Sequence, residues 1–299
     1  MMKEATLSRP FILALSLNKI SKVTAKTKTL DEQVYRCVCD YIGANSNGVI
    51  VLTGGEPFLD SRLSEILVLA RNRGWPTSVD TNCLFHEPPT LNGIQQIRLR
   101  LYSLNPNQHN RIASDQQSFQ KTMEYATWLA DNYSGEKIMV IPVCRDNYRE
   151  IAAIFNWCRS LNFIPNFFVV PWKHEYSVDL QDYHVVLQAL RELPQEDIII
   201  DVPLLGLSGW SNICPGGRVA MYIGVDGEIM PCPDFPYPIC WMGNDIPSTW
   251  RTLQEKIALM NEFCSSCERF SACGGGCLAN KTGAGKDYYC SAMCLNLSP

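Results

Sequence analysis

The cysteines near the end of the chain are the residues whose types and spacing could do chemistry. Thiolates are soft ligands that hold zinc or iron–sulfur clusters, and one [4Fe–4S] cluster takes about four of them. Gly274, Gly275 and Gly276 stand between two of these cysteines, where a backbone passing close to a cluster can need positive φ. The spacing therefore predicts two iron–sulfur clusters. Nine of the fourteen cysteines lie in this tail: Cys214, Cys232, Cys240, Cys264, Cys267, Cys273, Cys277, Cys290 and Cys294.

Two other interpretations of these cysteines stay open. A disulfide framework would give tight spacing too, but nothing at the amino terminus resembles a signal peptide, so we expect a reducing, cytoplasmic setting. Zinc would accept the pair Cys264 and Cys267, which two residues separate. Clusters account for more of the thiols and are the interpretation that we prefer.

The composition limits the classes of partner. The 299 residues suffice for one large α/β domain and a smaller module, and 46% hydrophobic residues allow a core. A net charge of −4 offers no general attraction to nucleic acid or acidic lipid. The apolar run at residues 11–15 is far too short to span a membrane. We therefore expect no nucleic-acid or membrane partner.

The elements that must position these residues are βα units. Short apolar runs alternate with stretches of helical period through the first two-thirds of the chain, which is typical of parallel βα units. Six units favour a partial (β/α)6, TIM-like barrel over an open sheet. We predict this barrel at residues 1–205 and a cysteine-rich module at 206–299. The strands are predicted at residues 11–17, 48–53, 77–81, 94–101, 137–143 and 167–170.

Polar residues follow several of these strands. Ligands of parallel α/β folds bind at the carboxyl ends of the strands. Gly54-Gly55-Glu56-Pro57 follows the second predicted strand, and other polar groups follow at residues 81–83, 102–105 and 144–147. The barrel mouth is therefore the predicted binding edge.

These features together resemble the radical S-adenosylmethionine (radical SAM) enzymes that carry a C-terminal SPASM domain. The resemblance includes the βα order, the Gly-Gly-Glu-Pro segment and the tail motifs Cys214-Pro-Gly-Gly, Tyr222-Ile-Gly-Val-Asp-Gly227 and Met230-Pro-Cys232-Pro. It implies two auxiliary [4Fe–4S] clusters in the tail. One would be held by Cys214, Cys232 and Cys277, with Cys240, Cys294 or an open iron site as the fourth position, of which we choose Cys240. The other would be held by Cys264, Cys267, Cys273 and Cys290.

The resemblance also implies a cofactor site at the barrel mouth. In the family, the Gly-Gly-Glu-Pro segment receives the methionine end of S-adenosylmethionine, which would involve Gly54, Gly55, Glu56 and Pro57. Ser103 takes the place of a polar residue that often faces the cofactor. A tight strand-to-helix turn without a ligand is the alternative interpretation of residues 54–57.

The family's defining Cys-x3-Cys-x2-Cys is missing from the loop after the first strand. Residues 16–23 contain no cysteine, and Cys37 and Cys39 come too late. Two helical positions two residues apart point about 200° away from each other, so these thiols cannot share a cluster. We interpret Cys37 and Cys158 as small buried hydrophobes. Binding of S-adenosylmethionine is therefore doubtful, and we expect no cleavage of it by this chain alone.

Other residues give weaker signals. No pair among the four histidines, His86, His109, His174 and His184, has metal-ligand spacing, and we expect each in a loop or at the surface. The aromatic-rich segment at residues 234–242 is expected to pack over a cluster, with peptide binding as the alternative.

Three functions from different classes are compatible with the sequence. The first is a catalytically degenerate partner subunit in peptide or protein maturation, in a heteromer with an active radical SAM relative, binding substrate or relaying electrons through two clusters. The second is an active peptide-modifying radical SAM enzyme whose missing cluster comes from another site or chain. The third is a zinc-stabilised binding module. Whether the chain is an enzyme stays open, and we lean towards no catalysis by it alone.

Overall fold

Parallel strands followed by helices make up the fold. A computed structural model describes residues 7–20, 27–85, 87–208 and 214–291. The strands are β1 (Ile12–Ile20), β2 (Thr27–Thr29), β3 (Val49–Gly54), β4 (Thr77–Thr81), β5 (Gln96–Arg100), β6 (Glu136–Val143), β7 (Ile164–Val169), β8 (Ile199–Asp201), β9 (Ala220–Ile223), β10 (Glu228–Met230) and β11 (Cys240–Trp241). The helices are α1 (Glu32–Ala44), α2 (Leu63–Asn72), α3 (Pro106–Ala113), α4 (Ser118–Asn132), α5 (Ile151–Ser160), α6 (Tyr183–Arg191), α7 (Ile246–Met260), α8 (Glu262–Ser265) and α9 (Phe270–Cys273).

The chain divides by its contacts into two compact units. The first unit comprises Met1–Ile97 and Pro215–Leu259, and the second comprises Arg98–Cys214 and Met260–Pro299. Both units therefore contain part of the cysteine-rich tail. The domain boundary predicted between residues 205 and 206 stays a prediction.

In the first unit, β1 lies between β3 and β9 and is parallel to both. Leu13, Leu15 and Leu17 of β1 are fully buried, which the apolar sequence of this strand predicts for a central position. The order of strands is β11-β10-β9-β1-β3-β4. Strand β10 is antiparallel to both β9 and β11. The tail motif at residues 222–227 covers the end of β9 and the turn to β10, where Gly227 has a φ of 83°.

In the second unit, β6, β7 and β8 are parallel. β8 adds one parallel strand to the six that the sequence predicted. Helix α5 packs against β7, with Ile151, Ile154 and Cys158 buried. The predicted α/β class with parallel βα units is confirmed. Among the described helices, none combines the length and the hydrophobicity that a bilayer span requires.

One local prediction was wrong, that for Cys37 in α1. This helix is capped by Asp31, whose carboxylate accepts hydrogen bonds from the N–H groups of Gln33 and Val34. Cys158 is fully buried as predicted, but Cys37 is only half-buried. It lines an open cavity of about 490 Å³ together with residues 244–247.

Candidate functional site

The Gly-Gly-Glu-Pro turn packs against the end of β1. Gly54 has a φ of 121°, and a Cβ there would lie 2.3 Å from the carbonyl oxygen of Asn18. A Cβ on Gly55 would lie 2.6 Å from Cγ1 of Ile20. The N–H of Gly55 donates to the carbonyl oxygen of Asn18 at 2.7 Å. Both glycines are therefore required by the approach of two backbone segments, whatever ligand binds nearby.

Asn18 holds the turn from the other side. Its side chain is fully buried, its Nδ2 donates to the carbonyl oxygen of Glu56 at 2.8 Å, and its Oδ1 accepts from the N–H of Glu56 at 2.8 Å. This reciprocal pair ties the backbone of Glu56 to β1. Pro57 then starts a short 3-10 turn, Pro57–Leu59. Sequence reasoning missed Asn18, whose partner lies 38 residues away.

The Glu56 carboxylate is fully buried and joins the turn to the loop after β4. It accepts hydrogen bonds from Oγ1 of Thr81 at 2.8 and 2.9 Å, and from the N–H groups of Asn82 and Leu84, each at 3.1 Å. The N–H of Phe58 adds a longer bond of 3.4 Å. Burial raises the pKa of Glu56, and these hydrogen bonds act in the opposite direction. Both oxygens of the Glu56 carboxylate therefore accept hydrogen bonds from the chain itself.

Strand β1 occupies part of the position where the family's cysteine motif would lie. Residues 16–20 belong to β1, and Ser16 and Asn18 pair with Thr53 and Gly54 of β3. Ser16 is buried and donates to the carbonyl oxygen of Asn18 at 3.2 Å. The rest of the predicted loop, residues 21–23, lies outside the described residues.

Ser103, the other predicted cofactor contact, is also engaged by the chain. It is fully buried, and its hydroxyl lies 2.9 Å from both oxygens of the Glu150 carboxylate, to which it donates. Glu150 accepts in addition from the N–H of Leu104 at 2.8 Å. Asn105 caps α3 through the N–H groups of residues 107 and 108. Glu150 stands at the N-cap position of α5, but its carboxylate binds the loop after β5 and not the first turn of the helix.

His109 contradicts the prediction of a loop or surface histidine. It is fully buried in α3, and its Nδ1 accepts from the N–H of Tyr102 at 3.3 Å. Its Nε2 lies 3.1 Å from Oγ of Ser118. Burial lowers the pKa of His109 to about 4, so the imidazole is neutral at neutral pH. Its partners and its burial make it a packing residue of the second unit.

The thiol segment, residues 264–290, belongs to the second unit. It contains the four cysteines predicted for one cluster, and also Cys277. Cys264 and Cys273 are buried, Cys267 is exposed, and Cys290 is half-buried. Burial raises the pKa of the Cys273 thiol, the neighbouring Cys264 and Cys267 act in the same direction, and the N–H groups of Gly275 and Gly276 oppose them. Three of the predicted ligands thus lie within electrostatic range of one another, beside backbone donors.

The glycines of this segment have the backbone that the sequence predicted. Gly274, Gly275 and Gly276 have φ values of 59°, 87° and 81°. A Cβ on Gly275 would lie 2.6 Å from Oδ1 of Asn261, and one on Gly276 would lie 2.5 Å from Oδ2 of Asp287. The chain therefore bends tightly around Cys273, with no space for side chains at these two positions.

Two charged residues complete the segment, and sequence reasoning missed both. Lys281 donates to Sγ of Cys264 at 3.3 Å. Asp287 is buried, and its carboxylate accepts from the N–H groups of Cys277 and Tyr289, each at 2.8 Å. Burial raises the pKa of Asp287 to about 6. In the sequence, the signal that could have identified Lys281 and Asp287 is their position between Cys277 and Cys290.

The donors fit a cluster by their chemistry. An iron–sulfur cluster is held by cysteine thiolates, and hydrogen-bond donors beside the sulfurs tune it. In the described ranges, no three His, Cys, Asp or Glu side chains converge as ligands of one metal ion. A cluster stands between its thiolates and so keeps them farther apart than one ion does.

The predicted ligands of the other cluster are divided between the units. Cys214 and Cys277 belong to the second unit, whereas Cys232 and Cys240 belong to the first. Cys294, the other candidate for the fourth position, lies outside the described residues. This ligand set stays a prediction.

The aromatic segment at residues 234–242 fits the expected packing only in part. Phe235 is buried, but Tyr237 and Trp241 are 55% and 59% exposed. Trp241 lies in β11, which pairs with β10. Because the rings of Tyr237 and Trp241 are exposed, the structure does not support packing of these two residues over a cluster.

Comparison with known proteins places this geometry in a known fold. No family model matches the chain. The AdoMet-dependent heme synthase of Nitratidesulfovibrio vulgaris is 20% identical over 279 residues, covering 77% of this chain and 74% of that protein. Streptococcus suis SuiB bound to the precursor peptide SuiA is similar in structure, with a TM-score of 0.72, 15% identity, and coverage of 96% of this chain and 76% of that one. SuiB bound to S-adenosylmethionine gives a TM-score of 0.71 at 15% identity, over 95% and 78%. The chain shares the fold of SuiB.

Proposed function

We propose that this chain is an iron–sulfur protein of the radical SAM/SPASM type that does not cleave S-adenosylmethionine alone and acts as a partner subunit in peptide or protein maturation. The radical SAM relationship is supported by an AdoMet-dependent relative and by a fold neighbour crystallised with S-adenosylmethionine. The peptide setting is supported by the same neighbour in complex with a precursor peptide.

The observation that carries the proposal is the distribution of sulfur. In the thiol segment, five cysteines fall within residues 264–290, and Lys281 donates to the sulfur of Cys264. At the end of β1, the polar groups of Ser16 and Asn18 are satisfied by the chain, and no thiol is present in residues 16–20. The tail thus has ligands for iron, whereas the first-strand position lacks the thiolates that a cluster requires.

The chain's residues have definite tasks in this proposal. Cys264, Cys267, Cys273 and Cys290 would hold one cluster, which supplies electron transfer when bound. Gly275 and Gly276 let the backbone bend tightly after Cys273, and the N–H of Gly276 donates to the carbonyl oxygen of Cys273. Glu56, Asn18 and Thr81 keep the turn after β3 rigid. In a heteromer, the active relative would provide the radical chemistry.

Iron and sulfide analysis of anaerobically purified protein tests the cluster part. Two clusters predict about eight irons per chain, and Cys273→Ala should reduce this to about four. Cys37→Ala, which removes a half-buried thiol from α1, is the matched control and should keep the wild-type iron content. Zinc in place of iron, or equal iron in both variants, would refute the proposal.

A specific observation favours a second candidate. The fold neighbour bound to S-adenosylmethionine supports an active peptide-modifying enzyme whose cluster comes from another site or chain. Incubation of the isolated, iron-loaded chain with S-adenosylmethionine and a strong reductant separates the two candidates. The partner role predicts no 5′-deoxyadenosine, and its formation by the chain alone would establish the second candidate.

A further inference from the structure

Lys281 is the residue of the thiol segment whose geometry goes beyond cluster ligation. Its ammonium donates to Sγ of Cys264 at 3.3 Å and to the carbonyl oxygens of Gly275 and Gly285 at 2.7 and 2.9 Å. An ammonium group has three donors, so each of them has one partner here. One of the three donors therefore points at the sulfur of Cys264, and the other two point at carbonyl oxygens.

The backbone on both sides fixes this ammonium in place. Lys281 forms an antiparallel bridge with Asp287, and Thr282 donates to the carbonyl oxygen of Lys286 at 2.9 Å. The preceding residue, Asn280, accepts through Oδ1 from the N–H of Trp172 at 3.0 Å. The carbonyl of Gly275 takes its direction from a backbone with a φ of 87°, which glycine adopts without strain. The position of the charge is therefore built into the fold.

A hydrogen bond and a positive charge at a ligand sulfur have a definite physical effect. Reduction adds one negative charge to a cluster, and charge-assisted donors stabilise the more negative state. Cys264 is buried, so solvent screens this interaction little. A lysine in this position raises the reduction potential of the site.

We propose that Lys281 sets the reduction potential of the cluster that Cys264 ligates, by donating a hydrogen bond to its sulfur. The inference rests on the proposed function, since it requires a cluster in the thiol segment. In the step concerned, a low-potential one-electron carrier gives up one electron to the site. Lys281 keeps its proton, and no covalent bond forms or breaks.

Redox titration followed by electron paramagnetic resonance tests this role in the full-length, anaerobically loaded protein. Lys281→Met removes the donor and the charge but keeps an unbranched side chain. We expect its reduced-to-oxidised ratio at a fixed potential to fall about tenfold, which for one electron corresponds to about 59 mV. Lys281→Arg keeps the charge and should retain most of the wild-type potential. Lys286→Met, five residues away in the same segment, is the matched control and should leave the potential unchanged.

The outcomes separate this inference from the proposed function. If Lys281→Met holds wild-type iron and titrates at the wild-type potential, the inference is wrong while the cluster proposal stands. If both Lys281 variants lose iron and the control does not, Lys281 serves to hold the cluster, which also contradicts a tuning role. If the wild-type chain binds no iron, both fail. A lowered potential in Lys281→Met at full iron content, with the control unchanged, supports the inference.

Discussion

The turn at residues 54–57 and the thiol segment are both built on glycines beside polar donors, but their donors have different partners. At the turn, the N–H groups of residues 82 and 84 and the hydroxyl of Thr81 end on the Glu56 carboxylate, inside the chain. In the thiol segment, one donor of the Lys281 ammonium ends on the sulfur of Cys264, an atom of the kind that binds metals. One motif is explained by folding alone, whereas the other is arranged around atoms that bind metals.

This contrast explains how the turn at residues 54–57 can be required by the fold whether or not a cofactor binds there. Glu56 and its glycines contribute to stability through β1 and the loop after β4, so they are required even if no cofactor binds there. In the thiol segment, Cys264 and Cys273 are buried, but Cys267 is exposed and Cys290 is half-buried, so packing accounts less well for these two. Substitutions in the two regions should therefore alter different properties.

The largest effect is expected from Gly275→Ala in the thiol segment. The new Cβ would lie 2.6 Å from Oδ1 of Asn261 and 3.2 Å from Nζ of Lys281. The displaced backbone would no longer present its donors to Cys273, and we expect loss of one cluster, about four of eight irons. Gly283→Ala is the control, because its Cβ would meet no atom within 4 Å. Equal iron content in the two variants would contradict the role given to Gly275.

Gly54→Ala should be the largest purely structural change. A Cβ at Gly54 would lie 2.3 Å from a backbone oxygen of β1, with φ at 121°. We expect a loss of about 4 kcal/mol or more in the free energy of unfolding, measured by urea denaturation. In Gly43→Ala, the new Cβ of α1 meets nothing within 4 Å, so this control should be neutral or slightly stabilising. A mild effect of Gly54→Ala on stability, with a large loss of iron, would reverse the contrast between the regions.

Glu56→Gln tests the same turn through its hydrogen bonds. The amide nitrogen of glutamine would face N–H donors that now share one carboxylate oxygen, those of Asn82 and Leu84. We expect a loss of about 2 kcal/mol in the free energy of unfolding, with unchanged iron content. Glu124→Gln, at an exposed position of α4 where the carboxylate accepts from Gln120, should cost less than about 0.5 kcal/mol. Equal stability of the two variants would show that the Glu56 carboxylate is not needed for the turn.

The sequence predicted the strands of the fold better than the polar side chains that contact the predicted site residues. Strand β4, residues 77–81, has the bounds that were predicted, and four of its five side chains are buried. β1 continues to Ile20, three residues beyond its predicted end, because Asn18 and Lys19 pair with β2. Glu150 and Asn18 were not foreseen as site residues, because their partners are far away in the chain.

The smallest effect concerns a third strand end, the loop after β5. It tests whether the polar groups buried in this loop are hydrogen-bonded within the chain, as the Glu56 carboxylate is. The pKa of His109 is about 4 in the folded chain and about 6.5 when unfolded, so the unfolded chain binds more protons between these values. Stability is therefore lost as the pH falls from 6.5 towards 4. At pH 5 we expect the contribution of His109 to be about 2 kcal/mol less favourable than at pH 7.5, whereas Asp287, whose pKa burial raises to about 6, acts in the opposite direction. His109→Gln should lose this pH dependence in urea denaturation, whereas His184→Gln, at an exposed position of α6, should keep it. An unchanged profile in His109→Gln would mean that the pKa of His109 is the same in the folded and the unfolded chain, which contradicts a desolvated imidazole in this loop.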